Sequence, residues 1–201
     1  MVHNTTVEVE RGPVYNATVV DANGNTAESE KINSNKYIFG STPTYPITAK
    51  ASNNSWIDID GDGNRTTNDI TLDINMTSYT NAITPITTIL SDANKTRRVA
   101  LANKLHEIFD IPLDGLYKTP SSSKNTNMTI LTNAIYKRVK ELHASIKTIF
   151  NYNTLISEGN KTLENTYKSL KNAVEENSSL YINGQIDSSK RDRFQFCVNH
   201  L

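Results

Sequence analysis

The sequence predicts an α+β fold, with an N-terminal β-sandwich interrupted by an acidic loop, a helical region built on a helix hairpin, and a C-terminal strand free to return to the sheet. Three observations predict it. Apolar and polar residues alternate in short runs over the first 80 residues, separated by Gly, Asn and Pro. At Ala82 the apolar spacing changes to three and four. Within the first regime, SWIDIDGDGNRTTNDITLDIN sets five acids within sixteen positions, Asp58 to Asp73.

In chain order, TVEVE, VYNATVVD, KYIF, YPITAKA, WIDID and ITLDIN read as strands of a sandwich-like domain over residues 1–80. Asn23-Gly24 marks a turn, because both residues tolerate positive φ. ITPITTIL places Thr84 at an N-cap and Pro85 at the first helical position. Asp92 is expected to cap a second helix, which runs to about Phe109 and is ended by Pro112. After the polar loop KTPSSSKNTN, the recurrence of Leu131, Ile135, Val139, Leu142, Ile146 and Ile149 predicts a long amphipathic helix. Leu163, Tyr167, Leu170 and Val174 repeat that spacing beyond Gly159, so the two helices can pack as a hairpin within a helical domain over 82–178.

Residues 179–201 read as a hairpin and strand tail. LYINGQI holds a second Asn-Gly turn, and in RFQFCV the residues Phe194, Phe196 and Val198 alternate with Gln195 and Cys197. Such a strand returns to its own sheet or adds to a neighbour's edge, giving a homo-oligomer. Either way Phe194 and Phe196 are expected to be buried and Gln195 exposed.

Composition narrows the function. Asn, Thr and Ser number 25, 24 and 17 of 201 residues, which suits an exposed β-containing protein better than a large buried catalytic core. Basic and acidic residues balance at 21 each, so no global charge recommends a nucleic acid or a membrane surface. Residues 1–80 nevertheless hold 10 acids and 5 bases. No apolar run approaches the ~18 residues of a membrane span, and MVHNTTVEVERG lacks the pattern of a signal peptide. The expected state is a mature exported chain or a cytosolic one. A single Cys197 excludes an internal disulfide.

The acidic stretch points to a metal ion. Numbered from Asp58, a twelve-residue loop puts Asp58, Asp60 and Asp62 at positions 1, 3 and 5, Gly63 at 6, Asn64 at 7 and Asp69 at 12. Calcium takes six to eight hard oxygen ligands at about 2.3–2.6 Å, and a loop bent around the ion turns alternate side chains inward. Glycine permits the sharp bend, Asn64 offers its backbone carbonyl, and Asp69 closes the shell. The expected ligands of one Ca2+ are Asp58, Asp60, Asp62, Asn64 and Asp69. Without the ion these carboxylates repel one another, so calcium is expected to stabilise the fold.

With Asp69 where many calcium loops carry Glu, this stretch resembles the dockerin-type loop of secreted bacterial proteins. Dockerins carry a pair of loops and this chain one, so cohesin binding is not implied. VERGPVYNATVVDANGNTA followed by YIFGSTPTYPITAKA is similar to the carboxypeptidase-regulatory-like, prealbumin-related β-sandwich modules of bacterial surface proteins and lipoproteins. The succession of that module, IDIDGDG, ITPITTIL and LTNAIYK resembles secreted bacterial proteins over roughly residues 5–140. The resemblance implies an exported, non-catalytic module.

Nine N-x-[ST] sequons support export, and five of them, at Asn64, Asn75, Asn94, Asn160 and Asn177, carry an acid two residues upstream. That arrangement resembles the D/E-x-N-x-S/T acceptor of bacterial periplasmic oligosaccharyltransferases. Catalytic constellations are missing by contrast. His106-Glu107 with Asp110 is a near miss to the zinc helix H-E-x-x-H and has no third ligand to nominate. His3, His143 and His200 read as solvated, Cys197 as a packed or half-exposed thiol rather than a nucleophile, and Tyr37, Tyr45 and Trp56 as core rather than a ligand platform. The leading expectation is a non-enzymatic, calcium-stabilised structural or adhesive module located outside the cell, at its surface or in the periplasm, with a homo-oligomer or surface partner. The alternative is a periplasmic ligand-binding or enzymatic domain with its site between the β and helical parts.

Overall fold

The computed structural model describes residues 4–91, 94–141, 165, 168, 172, 181–182 and 185–186. Ten short strands come first: β1 Thr5–Val9, β2 Val14–Tyr15, β3 Thr18–Val20, β4 Thr26–Ser29, β5 Lys36–Phe39, β6 Ile47–Lys50, β7 Trp56–Ile57, β8 Ile70–Thr71, β9 Met76–Ser78 and β10 Ala82–Ile83. Helices α1 (Pro85–Ser91), α2 (Lys95–Phe109), α3 (Pro120–Ser123) and α4 (Thr126–Glu141) follow, with a 3-10 turn at Gly115–Tyr117 between α2 and α3. The fold is therefore mixed α+β. Strands β11 (Tyr181–Ile182) and β12 (Gln185–Ile186) pair antiparallel, in line with the strand reading of LYINGQI. The tail residues Phe194, Gln195, Phe196 and Cys197, and the second helix of the predicted hairpin, fall outside the described residues apart from the isolated helical positions 165, 168 and 172.

Seven strands form one sheet in the order β10-β1-β5-β4-β3-β6-β9. Its two end strands, β9 and β10, are consecutive in the chain, with only Tyr79, Thr80 and Asn81 between them. Four Cα steps reach at most about 15 Å, whereas a flat seven-stranded sheet is about 29 Å wide. The sheet must curl back on itself. It turns at β4, whose Thr26 and Ala27 pair with β3 while Glu28 and Ser29 pair with β5. β10 then joins β1 in parallel, with Glu8 opposite Ala82 and Val9 opposite Ile83. Ala82 and Ile83, placed by the sequence reading at the start of the helical region, thus belong to the sheet.

Alternation fills the space enclosed by the curl. Val7 and Val9 of β1, Val19 of β3, Tyr37 and Phe39 of β5, Ile47 and Ala49 of β6, and Met76 of β9 are buried in one apolar cluster. A second sheet, β2-β7-β8, adds Val14 and Ile57 to the same cluster. The helices enclose a separate cluster of Ile86, Ile89 and Leu90 from α1, Leu101, Leu105 and Phe109 from α2, and Met128, Leu131 and Ile135 from α4. Two residues join the cores. Ile74 packs against both, and Tyr136 of α4 belongs to the sheet cluster.

Local signals account for the element ends. Thr84 caps α1 reciprocally with Thr87: the Thr87 N–H donates to Thr84 Oγ1 at 3.1 Å and the Thr84 N–H to Thr87 Oγ1 at 2.8 Å. α2 ends at Phe109 as expected, with Asp110 in the left-handed region at φ 53°. Its N-cap is Asn94 rather than the expected Asp92: Asn94 Oδ1 accepts the Arg97 N–H at 3.0 Å, and Asp92 lies outside the described residues. At the Asn23-Gly24 turn only glycine takes a positive φ, 85°. Asp21 organises that turn, accepting the N–H groups of Asn23, Asn25 and Thr44.

A buried acid ties β1 to α3. Glu10 is 3% exposed, and its carboxylate accepts the Ser121 N–H at 2.9 Å and the Ser121 O–H at 2.5 Å. Burial pushes the Glu10 carboxyl above its ordinary range, the Ser121 bonds pull it down, and neighbouring Glu8 adds a smaller upward push. A carboxyl whose folded-state pKa is raised stabilises the fold below its unfolded value, about 4.3, and that stabilisation is lost as pH rises through the folded value. Melting temperature is expected to fall with rising pH across that window, and E10Q to remove this share of the slope. The difference between the two melting curves isolates the group; parallel curves would contradict its burial as a raised acid.

Candidate metal centre

The acidic loop hangs from a closed β-clamp. Trp56 pairs with Thr71 and Ile57 with Ile70, so the twelve residues from Asp58 to Asp69 begin and end side by side. Of the two arrangements that the flanking WIDID and ITLDIN leave open, strand-loop-strand and strand-loop-short-helix, this is the first. Asp58 is fixed from outside the loop as well. Its N–H donates to Pro13 O at 2.9 Å, and a Cβ on Gly12 would lie 2.2 Å from Asp58 O. Only glycine fits against that carbonyl.

Within the loop, carboxylates accept backbone donors and are thereby oriented. Asp58 Oδ1 accepts the N–H groups of Gly61 at 2.6 Å and Asp62 at 3.2 Å, and its Oδ2 accepts that of Gly63 at 2.8 Å. The bend requires positive φ at Gly61, 71°, and at Gly63, 76°. Asp69 Oδ1 accepts the Ile59 N–H at 3.0 Å and its Oδ2 the Thr66 N–H at 2.6 Å, drawing the end of the loop over its beginning. Asn68 donates its amide to Asp60 Oδ2 at 3.2 Å. Asn33, from the β4–β5 connection, donates its amide to Gly63 O at 2.8 Å and tethers the outer bend.

Asp58, Asp60 and Asp69 come together: one carboxylate oxygen from each lies within 4.8 Å of the other two. Asp58 is 1% and Asp60 5% exposed. Asp62, half-buried, instead turns Oδ1 to the Asn64 N–H at 2.7 Å, and the exposed Asn64 donates its amide to Asp62 O at 3.2 Å. Sequence reading overlooked Tyr15, whose hydroxyl faces Asp58 Oδ2 at 3.4 Å and whose ring meets Trp56 edge-on, with centroids 4.7 Å apart. It overlooked Asn68 and Gly12 too, since none of the three belongs to the loop pattern.

Electrostatics at the cluster are unfavourable to a bare anion. Burial raises the Asp58 carboxyl above its ordinary range; the Gly63 and Gly61 N–H groups oppose this, and the charges of Asp69 and Asp60 reinforce it. Tyr15 is pushed up to about 12, chiefly by burial and then by Asp58. A cation among these oxygens would reverse both pressures. The donor set suits one: two oxygens sharing a calcium ion at about 2.3–2.6 Å stand at most about 5 Å apart, and the observed spacing falls inside that limit.

Other nominated residues serve structure. Trp56 and Tyr37 are core at 2% and 1% exposure, and Tyr37 donates its hydroxyl to Val14 O at 2.9 Å. Half-buried Tyr45 donates to Asn81 Oδ1. His106 Nδ1 sits 2.8 Å from Ile111 O, and Glu107 pairs with Lys104 at 3.2 Å on the surface of α2. His3, His143 and His200 lie outside the described residues. Comparison of the chain with protein-family models, with curated proteins and with solved structures found no match.

Gly12→Ala is expected to destabilise the protein by about 1–3 kcal/mol through overpacking against Asp58. Gly40, where a Cβ meets nothing within 4 Å, provides the control: Gly40→Ala should stay within about 0.5 kcal/mol. Denaturant unfolding of both variants checks the pair, and equal stability would mean that the close approach has no energetic weight.

Proposed function

We propose that the protein is a non-enzymatic structural or adhesive module of the cell exterior, surface or periplasm, fixed by one calcium ion in the loop 58–69. A single observation carries the reading: three carboxylates, two of them buried, converge inside a loop closed at both ends. Asp58, Asp60 and Asp69 would hold the ion by side chains, with Asp62 and the Asn64 carbonyl available on the loop's outer bend. The ion supplies positive charge where folding has concentrated negative charge, and its role is to stabilise.

The curled seven-stranded sheet and its single core are compatible with the sandwich modules that the N-terminal motifs resemble. The helices support the same reading. α1 lies on β9, with Thr88 Oγ1 accepting the Thr77 N–H at 2.9 Å, and Ile74 fills the seam between the cores. A junction held by apolar packing at Ile74 and by the Glu10–Ser121 hydrogen bonds favours a structural part over a ligand cleft.

Calorimetric titration of chelator-treated protein with calcium should give about one site per chain. Asp60→Ala combined with Asp62→Ala should abolish it. At a hundredfold excess over Kd, binding adds about 2.7 kcal/mol, or roughly 5–10 °C in melting temperature for a chain of this size. Affinity should weaken as pH falls, because the ion requires Asp58 ionised. Identical melting in calcium and in chelator would overturn the structural role.

A further inference from the structure

The sequons that recommend export are not equivalent in the folded chain. At Asn53 the hydroxyl residue, Ser55, is fully buried, its Oγ 2.6 Å from Ser52 Oγ. At Asn64 the amide donates to Asp62 O and the Thr66 O–H to Asp69 Oδ2, so the motif is absorbed by the acidic loop. Asn75 is exposed, but its Oδ1 accepts the Ala51 N–H at 2.8 Å, and its Thr77 lies in β9 with Oγ1 3.1 Å from Thr48 Oγ1 across the sheet. Thr129, paired with Asn127, is 7% exposed. Asn4 and Asn16 are exposed but lead directly into strands: Thr6 is registered against Ile38 and Thr18 against Lys50. A sequon held in a sheet cannot bend to present its amide to an enzyme.

Asn94 differs on each count. Asn94, Lys95, Thr96 and Arg97 are four consecutive exposed residues outside any strand. They occupy the cap and first turn of α2, where the earliest backbone bond within the helix is from Arg98 N to Asn94 O at 2.8 Å. Peeling back this turn breaks little. Among the described residues the side chain is bonded through its carbonyl alone, Oδ1 accepting the Arg97 N–H, so a substituent on Nδ2 leaves that cap bond intact. The sequence also places an acid, Asp92, two residues before it.

We propose that Asn94 is an N-glycan acceptor. Its Nδ2 forms a bond to C1 of the sugar in a polyprenyl-diphosphate-linked oligosaccharide; the bond from C1 to the diphosphate oxygen breaks, polyprenyl diphosphate leaves, and the amide loses one proton. The proposal rests on the export part of the reading above and is independent of calcium.

The full chain, given a bacterial export signal and produced in a cell whose periplasm holds an N-oligosaccharyltransferase and its lipid-linked donor, is the material for the test. Peptide mapping by mass spectrometry should find the glycan mass on the peptide bearing Asn94, and should find it absent in N94Q and T96A. T96A keeps the Asn94 cap, so an unchanged melting temperature separates loss of acceptor from loss of fold. A bare Asn94 in the wild type, or a glycan there that survives T96A, would overturn the assignment. Because the added signal supplies export, such a result counts against Asn94 alone; fractionation of cells making the unaltered chain tests the export reading separately.

Discussion

Three residues between β9 and β10 constrain the whole β part of the molecule. They join strands at opposite ends of a seven-stranded order, which a flat sheet could not allow. The curl that results gives the sheet a protected interior, so strands of only two to five residues can be stable together. It also sets β10 beside β1, which delivers the chain at Thr84 to the start of α1 and lays that helix on β9. Closure of the sheet and placement of the helices are thus one event.

Two acids show how environment decides the behaviour of a single residue type. Asp21 organises a turn and is held below the usual carboxylate range by the Thr44 N–H and the Asn25 side chain. Asp58 also accepts backbone donors, yet burial and two neighbouring carboxylates carry it the other way. Hydrogen bonds alone do not compensate a crowded, dry anion. The fold tolerates that crowding at a point fixed by β7, β8 and the Gly12 turn.

Local chemistry was legible in the sequence wherever one residue acts on its near neighbours. Alternation located β1, β5 and β6 and, within longer runs, the short strands β2, β3, β7 and β8, but not β4 or β9; Thr84 and Pro85 marked the start of α1, and the D-x-D-x-D-G spacing the loop with its β flanks. Contacts made across the chain were not legible. The pairing of β10 with β1 spans more than seventy residues and gives no periodic sign, so Ala82-Ile83 read as the approach to a helix. Gly12, Tyr15 and Asn68 escaped notice for the same reason, since each serves the acidic cluster from outside the positions that define its pattern. Asn94 took the cap expected of Asp92 because helix ends depend on backbone geometry that two nearby capping residues can satisfy equally well.

The position of Trp56 has an optical consequence. It is the only tryptophan in the chain, sits at 2% exposure in the strand that opens the acidic loop, and touches the ring of Tyr15, whose hydroxyl faces Asp58. Intrinsic tryptophan emission from this protein therefore originates from a single indole one residue removed from Ile57 and two from Asp58. Its wavelength and quenching describe the base of the loop without any introduced label.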